Sequence, residues 1–272
     1  MSGSETVALH HHERVPSRGA RQPALVFLHH FGGSGRTWEP LSEIMAQVGI
    51  RCIAPDLRGF GDSASHEGDP AQFTVATMAD DVAALIERLS LGTYVLIGHS
   101  MGAKVALALA GRQPRNLEAL ILLAPSPPTP EPMPDAERAR LLAGYGDRAA
   151  AEETVKKITA RPLPDLLLAT AIADILRSSE GAWNGWLEHG SRENIVATLP
   201  SVRVPVFIAV GSNDETITAP LVKGAIAERL EPSAVVRIIG GAGHLLPLEA
   251  PISVGNFIFE CVADADRTVG LR

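Results

Sequence analysis

The chain has 272 residues, of which 46% are hydrophobic and 20% are charged, and its formal net charge at pH 7 is −7. This balance is typical of a globular protein and excludes the fibrous and disordered classes. The negative charge argues against nucleic acid and anionic membranes as partners, because both repel an acidic protein. No apolar run approaches the roughly 18 residues of a membrane span, and residues 1–21 lack the apolar core of a secretory signal. We therefore expect a cytoplasmic protein without a membrane partner.

Three consecutive histidines, His10, His11 and His12, lie in a strand-like segment near the start of the chain. Histidine is a common metal ligand, so the triplet raises the question of a metal site. Neighbouring side chains of a strand point to opposite faces, however, and three in a row cannot converge on one ion. We therefore predict a solvated or half-buried strand here and no metal.

Apolar runs and helical patterns alternate along most of the chain. The runs that predict buried strands are residues 24–28, 51–55, 94–97, 117–123, 204–210 and 234–239. The segments that predict helices outside the middle region are 38–48, 74–89, 103–110, 220–230 and 251–262. This alternation predicts an α/β fold with a doubly wound, mostly parallel sheet. Cys52 and Cys261 lie inside apolar patterns and are predicted to be buried free thiols.

The middle of the chain has a different character. Prolines crowd residues 125–134, which no strand or helix interior tolerates. From there to about residue 200 the pattern is helical, and no convincing strand is present. We therefore predict a core formed by residues 1–124 and 201–272, with residues 125–200 inserted as a helical cap or lid.

The segment Gly98-His99-Ser100-Met101-Gly102 joins the apolar run 94–97 to the helical segment 103–110. A Gly-x-Ser-x-Gly pattern between a strand and a helix is typical of a nucleophile elbow. Glycines on both sides allow close backbone approach, and the sharp turn projects the hydroxyl outward at the N-terminus of the helix. Ser100 is therefore the predicted nucleophile.

A serine hydroxyl needs a base, and the base needs an acid that fixes its tautomer. His244 follows a glycine-rich loop after the last predicted strand and is the predicted base, whereas the rival His189 lies in the predicted cap. Asp214 lies just past a strand end, where open α/β sheets gather their sites. Capping of the helix near Pro220 is the alternative role for Asp214.

Taken together, these segments resemble the α/β-hydrolase superfamily over nearly the whole length outside the cap. The matching signatures are the loop 29–33, the loop 56–63, the elbow 98–102, the turn 211–214 and the pair 243–244. The resemblance implies a catalytic triad of Ser100, Asp214 and His244, in the chain order typical of the superfamily. It also implies an oxyanion hole formed by the backbone amides of Phe31 and Met101, and no cofactor.

One position departs from the superfamily pattern. Relatives usually have glycine after the first histidine of the oxyanion loop, whereas this chain has His30. If the position requires a backbone angle that favours glycine, His30 must be strained or the loop must differ. His30 is also a candidate substrate-binding residue, as are Trp183 and Trp186, although aromatic residues spaced three apart on a helix also serve packing.

These features predict a serine hydrolase that cleaves a small, largely uncharged carboxylic ester through an acyl-enzyme on Ser100. The serine argues against relatives with a nucleophilic aspartate, such as haloalkane dehalogenases and epoxide hydrolases, which need a carboxylate to form their ester intermediate. A carbon-carbon bond hydrolase, a lactonase, an acyltransferase and a perhydrolase would use the same triad. A non-catalytic ligand receptor on the same fold is the alternative from another class.

Overall fold

The computed structural model of the chain describes residues 6–17, 19–63, 69–230 and 234–269, with side chains as far as residue 265. Seven strands in the described ranges form one sheet, in the order β1-β3-β2-β4-β5-β6-β7. The strands are β1 His11–Arg14, β2 Arg21–Leu28, β3 Ile50–Pro55, β4 Tyr94–His99, β5 Leu117–Leu123, β6 Val206–Gly211 and β7 Val236–Ile239. The six predicted strands all form, with boundaries shifted by at most three residues.

Strand β1 pairs antiparallel with β3 at one edge, and every other pair in the sheet is parallel. Strands β4 and β5 lie in the middle of the sheet and are buried almost throughout. Helices therefore cover both faces, which explains why these strands are continuous apolar runs rather than alternating ones. The predicted doubly wound, mostly parallel α/β sheet is confirmed.

Ten α-helices lie within the described ranges. They are α1 Glu39–Gln47, α2 Val75–Arg88, α3 Met101–Ala110, α4 Asp135–Ala143, α5 Arg148–Ile158, α6 Asp165–Leu176, α7 Glu180–Glu188, α8 Ala219–Ala225, α9 Leu246–Glu249 and α10 Pro251–Val269. Helices α2, α3 and α8 contribute to the hydrophobic cluster on one face of the sheet. Helices α1 and α10 contribute to the cluster on the other face.

Residues 125–200, called the insertion below, contain α4 to α7 and no strand. The insertion has a hydrophobic cluster of its own, which extends to Leu245 and Leu248 and to the partly buried Phe31. An ion pair between Arg36 and Asp174 also ties it to the loop after β2. The insertion therefore packs on the side of the sheet where the parallel strands end.

The sequence also predicts the state of the two cysteines. Cys52 and Cys261 are both buried free thiols, as expected, and burial raises the pKa of each thiol to about 12.

In the part of the chain that the structure describes, no helix has both the length and the apolar character needed to cross a lipid bilayer.

Because α3 packs closely against β2, we predict that one methyl group added at Gly102 destabilises the fold. A Cβ atom on Gly102 would lie 2.4 Å from the carbonyl oxygen of Leu28, which is backbone and cannot rotate away. We expect Gly102→Ala to lower the free energy of unfolding by about 1–3 kcal/mol or more, measured by urea denaturation. The matched change Gly224→Ala, on helix α8 with nothing within 4 Å of the added atom, should be neutral or stabilising by about 1 kcal/mol. Equal stability of the two variants would contradict this account of the elbow.

Candidate active site

Ser100 lies at the turn between β4 and α3 in a backbone conformation that few residues adopt. Its φ and ψ angles are 52° and −115°, although it is not glycine. Such a conformation costs on the order of 1–3 kcal/mol and persists only where the surrounding structure imposes it. Gly98 permits this tight turn, because a Cβ atom at that position would lie 2.4 Å from the Cα atom of Ala103. The predicted nucleophile Ser100 therefore lies in a strained strand-to-helix turn, the backbone geometry typical of an elbow.

The structure brings Ser100, His244 and Asp214 together in one chain of hydrogen bonds. The Ser100 Oγ atom lies 2.9 Å from His244 Nε2, and His244 Nδ1 lies 2.8 Å from Asp214 Oδ2. An ionised carboxylate only accepts, so Nδ1 carries the proton and Nε2 is left to accept one from the serine hydroxyl. This is the arrangement that general-base activation of a serine requires. The rival His189 is exposed at the end of α7 and lies outside this chain.

Asp214 follows β6 and is fixed by the backbone around it. Its Oδ1 atom accepts hydrogen bonds from the amides of Thr216 and Ile217, both at 2.8 Å, which leaves Oδ2 for His244. The residue that precedes α8 is Thr218, so Asp214 does not cap this helix. Burial opposes its ionisation, but the contact with His244 and the two amides keep the pKa of Asp214 below its ordinary value.

The pKa of His244 responds to two opposing influences. Burial favours the neutral ring, whereas the adjacent Asp214 carboxylate favours the imidazolium, and the net effect raises the pKa of His244 above 6.5. A carboxylate that stabilises the protonated base lowers the cost of taking the serine proton. The electrostatics of the site therefore suit a base that becomes charged during the reaction.

His99, the residue before Ser100, makes a hydrogen bond to the backbone of His244. Its Nε2 atom donates to the backbone carbonyl of His244 at 2.7 Å. Burial lowers the pKa of His99 to about 3, so the ring is neutral and acts only as a hydrogen-bond donor here. The sequence pattern indicates that this side chain turns into the sheet, but not that it reaches a residue 145 positions away.

The oxyanion loop follows β2 and is organised by His29. The His29 Nδ1 atom donates to the carbonyl of His30 at 2.7 Å, and Nε2 accepts from the Leu57 amide at 2.9 Å. The positive φ angle of this loop, 75°, falls on Gly32, whereas His30 is not among the residues with positive φ. The expected strain at His30 is therefore absent, because the conformation that favours glycine lies two residues later.

The backbone amides of Phe31 and Met101 are the donors of the predicted oxyanion hole. Within the described ranges, neither amide donates a hydrogen bond to any protein group. The loop and the elbow are also tied directly together, since the Gly102 amide donates to the His29 carbonyl at 3.1 Å. Two unused donors on linked segments next to Ser100 are the feature that an oxyanion hole needs.

The three predicted substrate-binding residues differ in their surroundings. His30 is buried, and its ring lies 5.1 Å from that of His99. Trp183 is buried with its ring 4.4 Å from Phe31, and its indole nitrogen donates to the Leu141 carbonyl. Trp186 is buried in the cluster beneath the insertion. Trp183 therefore meets the oxyanion loop directly, whereas Trp186 packs mainly into the core.

Glu131 is a charged neighbour of the site that the sequence pattern does not reveal. This half-buried residue lies in the proline-rich start of the insertion, and its backbone amide donates to the Ser191 carbonyl at 2.8 Å. Burial raises the pKa of its carboxyl group, against the influence of Lys104 and His244. The extended segment after β5 thus carries an acid back towards His244, a path that local patterns do not encode.

Comparison with known proteins agrees with this fold. Similar curated proteins include BpoC of Mycobacterium tuberculosis, named provisionally as a non-heme bromoperoxidase, at 28% identity over 264 residues, covering 88% of this chain and 93% of its own. The 2-(acetamidomethylene)succinate hydrolase of Mesorhizobium japonicum is 26% identical over 254 residues, covering 87% and 88%. A solved thermophilic esterase from Thermogutta terrifontis has a TM-score of 0.77 at 26% identity, covering 94% and 93%. A model described as the alpha/beta hydrolase family matches residues 25–254, and the chain therefore belongs to this family.

Proposed function

We propose that the chain is a serine hydrolase that cleaves a small, largely uncharged carboxylic ester through an acyl-enzyme on Ser100. The observation that carries this proposal is the continuous hydrogen-bond chain from Ser100 through His244 to Asp214. The two unused amides of Phe31 and Met101 add a second element that a ligand receptor has no need to maintain. Together they supply a nucleophile, a base, an orienting acid and an oxyanion hole.

In the proposed reaction His244 Nε2 takes the hydroxyl proton while Ser100 Oγ attacks the ester carbonyl carbon. The negative charge of the tetrahedral intermediate falls on the carbonyl oxygen, where the amides of Phe31 and Met101 stabilise it. The intermediate collapses when His244 gives the proton to the departing alkoxide, which leaves as the alcohol. Water then attacks the acyl-enzyme by the same route and releases the acid and free Ser100.

The insertion is the part of the molecule that we propose to select the substrate. The exposed fraction of Ser100 is only 8%, so neighbouring residues cover most of the proposed nucleophile. Apolar residues, including Phe31 and Trp183, contribute to the cluster between the insertion and the core. Such a wall favours a small acyl group without charge. We therefore propose that residues 125–200 act as a cap over the site.

The names of similar proteins favour ester chemistry but leave the acceptor of the acyl group open. The Thermogutta terrifontis protein is an esterase, whereas BpoC bears the name of a bromoperoxidase. If hydrogen peroxide replaces water, the acyl group leaves Ser100 as a peracid and the rest of the cycle is unchanged. A lactonase or a carbon-carbon bond hydrolase would use the same residues on a different substrate.

The proposal is tested by covalent labelling and by turnover of the same variants. We expect a fluorophosphonate to label the wild-type protein on Ser100, and p-nitrophenyl esters with short acyl chains to be hydrolysed. Ser100→Ala should abolish labelling and lower kcat by about 10⁴- to 10⁶-fold. His244→Ala should lower kcat by a similar factor, because the two groups act as a unit.

Ser126 supplies the matched control for this experiment. Its backbone amide, not its hydroxyl, contacts the Ser100 carbonyl at 3.1 Å, so Ser126→Ala should retain labelling. Repeating turnover with added peroxide distinguishes hydrolysis from peracid formation. A wild-type protein that neither reacts with the fluorophosphonate nor turns over any short ester would favour the receptor alternative instead.

The electrostatics of His244 also predict the pH dependence of turnover. The base must be neutral to accept the serine proton, and its pKa is raised above 6.5 by Asp214. We therefore expect kcat/KM to fall as the pH drops through a value above 6.5, since kcat/KM reports the free enzyme. Asp214→Asn should move this limb to lower pH and reduce kcat by about 10⁴-fold. The control Glu215→Gln removes the exposed acid next in the chain and should leave the acidic limb of the kcat/KM profile in place. An acidic limb that Asp214→Asn does not move would refute the assignment of this limb to His244 beside Asp214.

A further inference from the structure

A second group of titratable side chains lies at the antiparallel edge of the sheet, outside the triad. His10 directly precedes β1, and His12 lies within it. Asp56 directly follows β3, and Asp62 lies in the loop after that strand. The pairing of β1 with β3 sets His12 opposite Ala54, two residues before Asp56, and thereby brings the four side chains together. One ligand atom from each of the four lies within 4.8 Å of those of the others.

The separations within this cluster fit one small cation. His10 Nδ1 lies 3.1 Å from Asp56 Oδ2 and 3.8 Å from Asp62 Oδ2, and His12 Nε2 lies 3.5 Å from Asp56 Oδ1. Bonds of about 2.0–2.2 Å to a tetrahedral zinc ion separate its ligand atoms by about 3.4 Å. We propose that His10, His12, Asp56 and Asp62 form a binding site for a divalent transition-metal ion of the zinc type.

The state of the ligand atoms supports this site. The Nε2 atom of His12 is buried, yet it makes no hydrogen bond to any described group. Its nearest polar neighbour is Asp56 Oδ1 at 3.5 Å, a contact longer than a good hydrogen bond, and an ion between the two atoms would satisfy the nitrogen. The His10 Nδ1 atom hydrogen-bonds to Asp56 Oδ2 at 3.1 Å and has Asp62 Oδ2 as a second carboxylate neighbour at 3.8 Å. Imidazole and carboxylate are the nitrogen and oxygen ligands that zinc accepts.

Asp56 is the anchor of the site and is held rigidly. Its side chain is fully buried, and its two oxygens accept from the amides of Gly35 at 2.6 Å and Asp62 at 2.8 Å. Each oxygen keeps a lone pair for a further partner. Supporting hydrogen bonds of this kind orient ligating carboxylates.

The two neighbouring guanidinium groups, those of Arg177 and Arg36, do not occupy the centre of the cluster. Asp62 Oδ1 accepts from Arg177 of the insertion, while Oδ2 faces His10. Arg36, the other guanidinium beside His12, donates to Asp174 at 2.9 Å. Asp56 and the Oδ2 atom of Asp62 therefore remain to face the ion, while Arg177 offsets part of the Asp62 charge. A bound ion would join the N-terminal strand, the loop after β3 and, through Arg177, the insertion, so we assign it a structural role.

The expectation of no metal rested on the three consecutive histidines. That argument holds for His11, whose side chain lies on the opposite face of the strand from its two neighbours. It does not apply to His10 and His12, which share a face and have a carboxylate partner from a distant segment.

The test uses tag-free, chelator-treated, full-length protein and zinc chloride alone. Equilibrium dialysis with metal analysis should give one Zn²⁺ per chain, and zinc should raise Tm because the ion binds only the folded state. His12→Ala and Asp62→Asn should each weaken zinc binding by more than tenfold, since loss of even an outer-shell partner costs about 10–100-fold. Cobalt(II) bound to the wild-type protein should show the intense visible absorption of a four-coordinate ion.

Two matched variants separate ligation from general effects of substitution. His11→Ala removes the histidine of the triplet that faces away, and Arg177→Gln breaks the ion pair of Asp62 but keeps the carboxylate. Both should bind zinc as the wild-type protein does. An absence of saturable zinc binding by the wild-type protein would overturn the proposal. So would equal losses of affinity in His11→Ala and His12→Ala, or the weak cobalt spectrum of a six-coordinate surface ion.

Discussion

The site depends on one steric constraint, the close contact between β4, α3 and β2 around Ser100. Gly98 and Gly102 each lack the atom that would collide with neighbouring backbone, and between them Ser100 is held at a φ angle of 52°. The same contact draws the Gly102 amide onto the His29 carbonyl at 3.1 Å and the Ser100 amide onto the Leu123 carbonyl at 3.0 Å. Nucleophile, oxyanion loop and the end of β5 are therefore positioned by a single packing arrangement, which offsets the strain of the turn.

Three buried histidines in this region show how environment divides structural from chemical roles. Burial lowers the pKa of His29 and that of His99, so both rings stay neutral and serve as fixed hydrogen-bonding groups. His244 is equally buried, but the Asp214 carboxylate at 2.8 Å raises its pKa instead. Only the ring that contacts an acid is able to gain and lose a proton near neutral pH. The position of one carboxylate therefore distinguishes His244, the proposed base, from the other two rings.

Local patterns were sufficient to predict the elements and the meeting of Ser100, His244 and Asp214, but not the other contacts between distant segments. Strand ends, glycine-rich turns and helix starts encode where Ser100, Asp214 and His244 fall, because parallel strands bring their carboxyl ends to one edge. The approach of Glu131 to His244 depends instead on the path of a proline-rich segment that no periodicity describes. The contact of His12 with Asp56 requires the antiparallel register of β1 on β3. The pairing of two strands that lie this far apart in the sequence cannot be predicted from the local sequence pattern. Of the two alternatives at His30, strain or a different loop, the structure has the second, since Gly32 takes the positive φ angle, which the pattern does not show.

The central claim is that Ser100 becomes acylated and that water, activated by His244, removes the acyl group. The most direct measurement is an acid quench of the protein within its first turnover of p-nitrophenyl acetate, followed by intact mass analysis and peptide mapping. The account predicts an acetyl group on the peptide that contains Ser100, together with a burst of p-nitrophenol equal to the enzyme concentration when deacylation limits the rate. An acetyl group on another residue, or turnover in the Ser100→Ala protein at the wild-type rate, would contradict it.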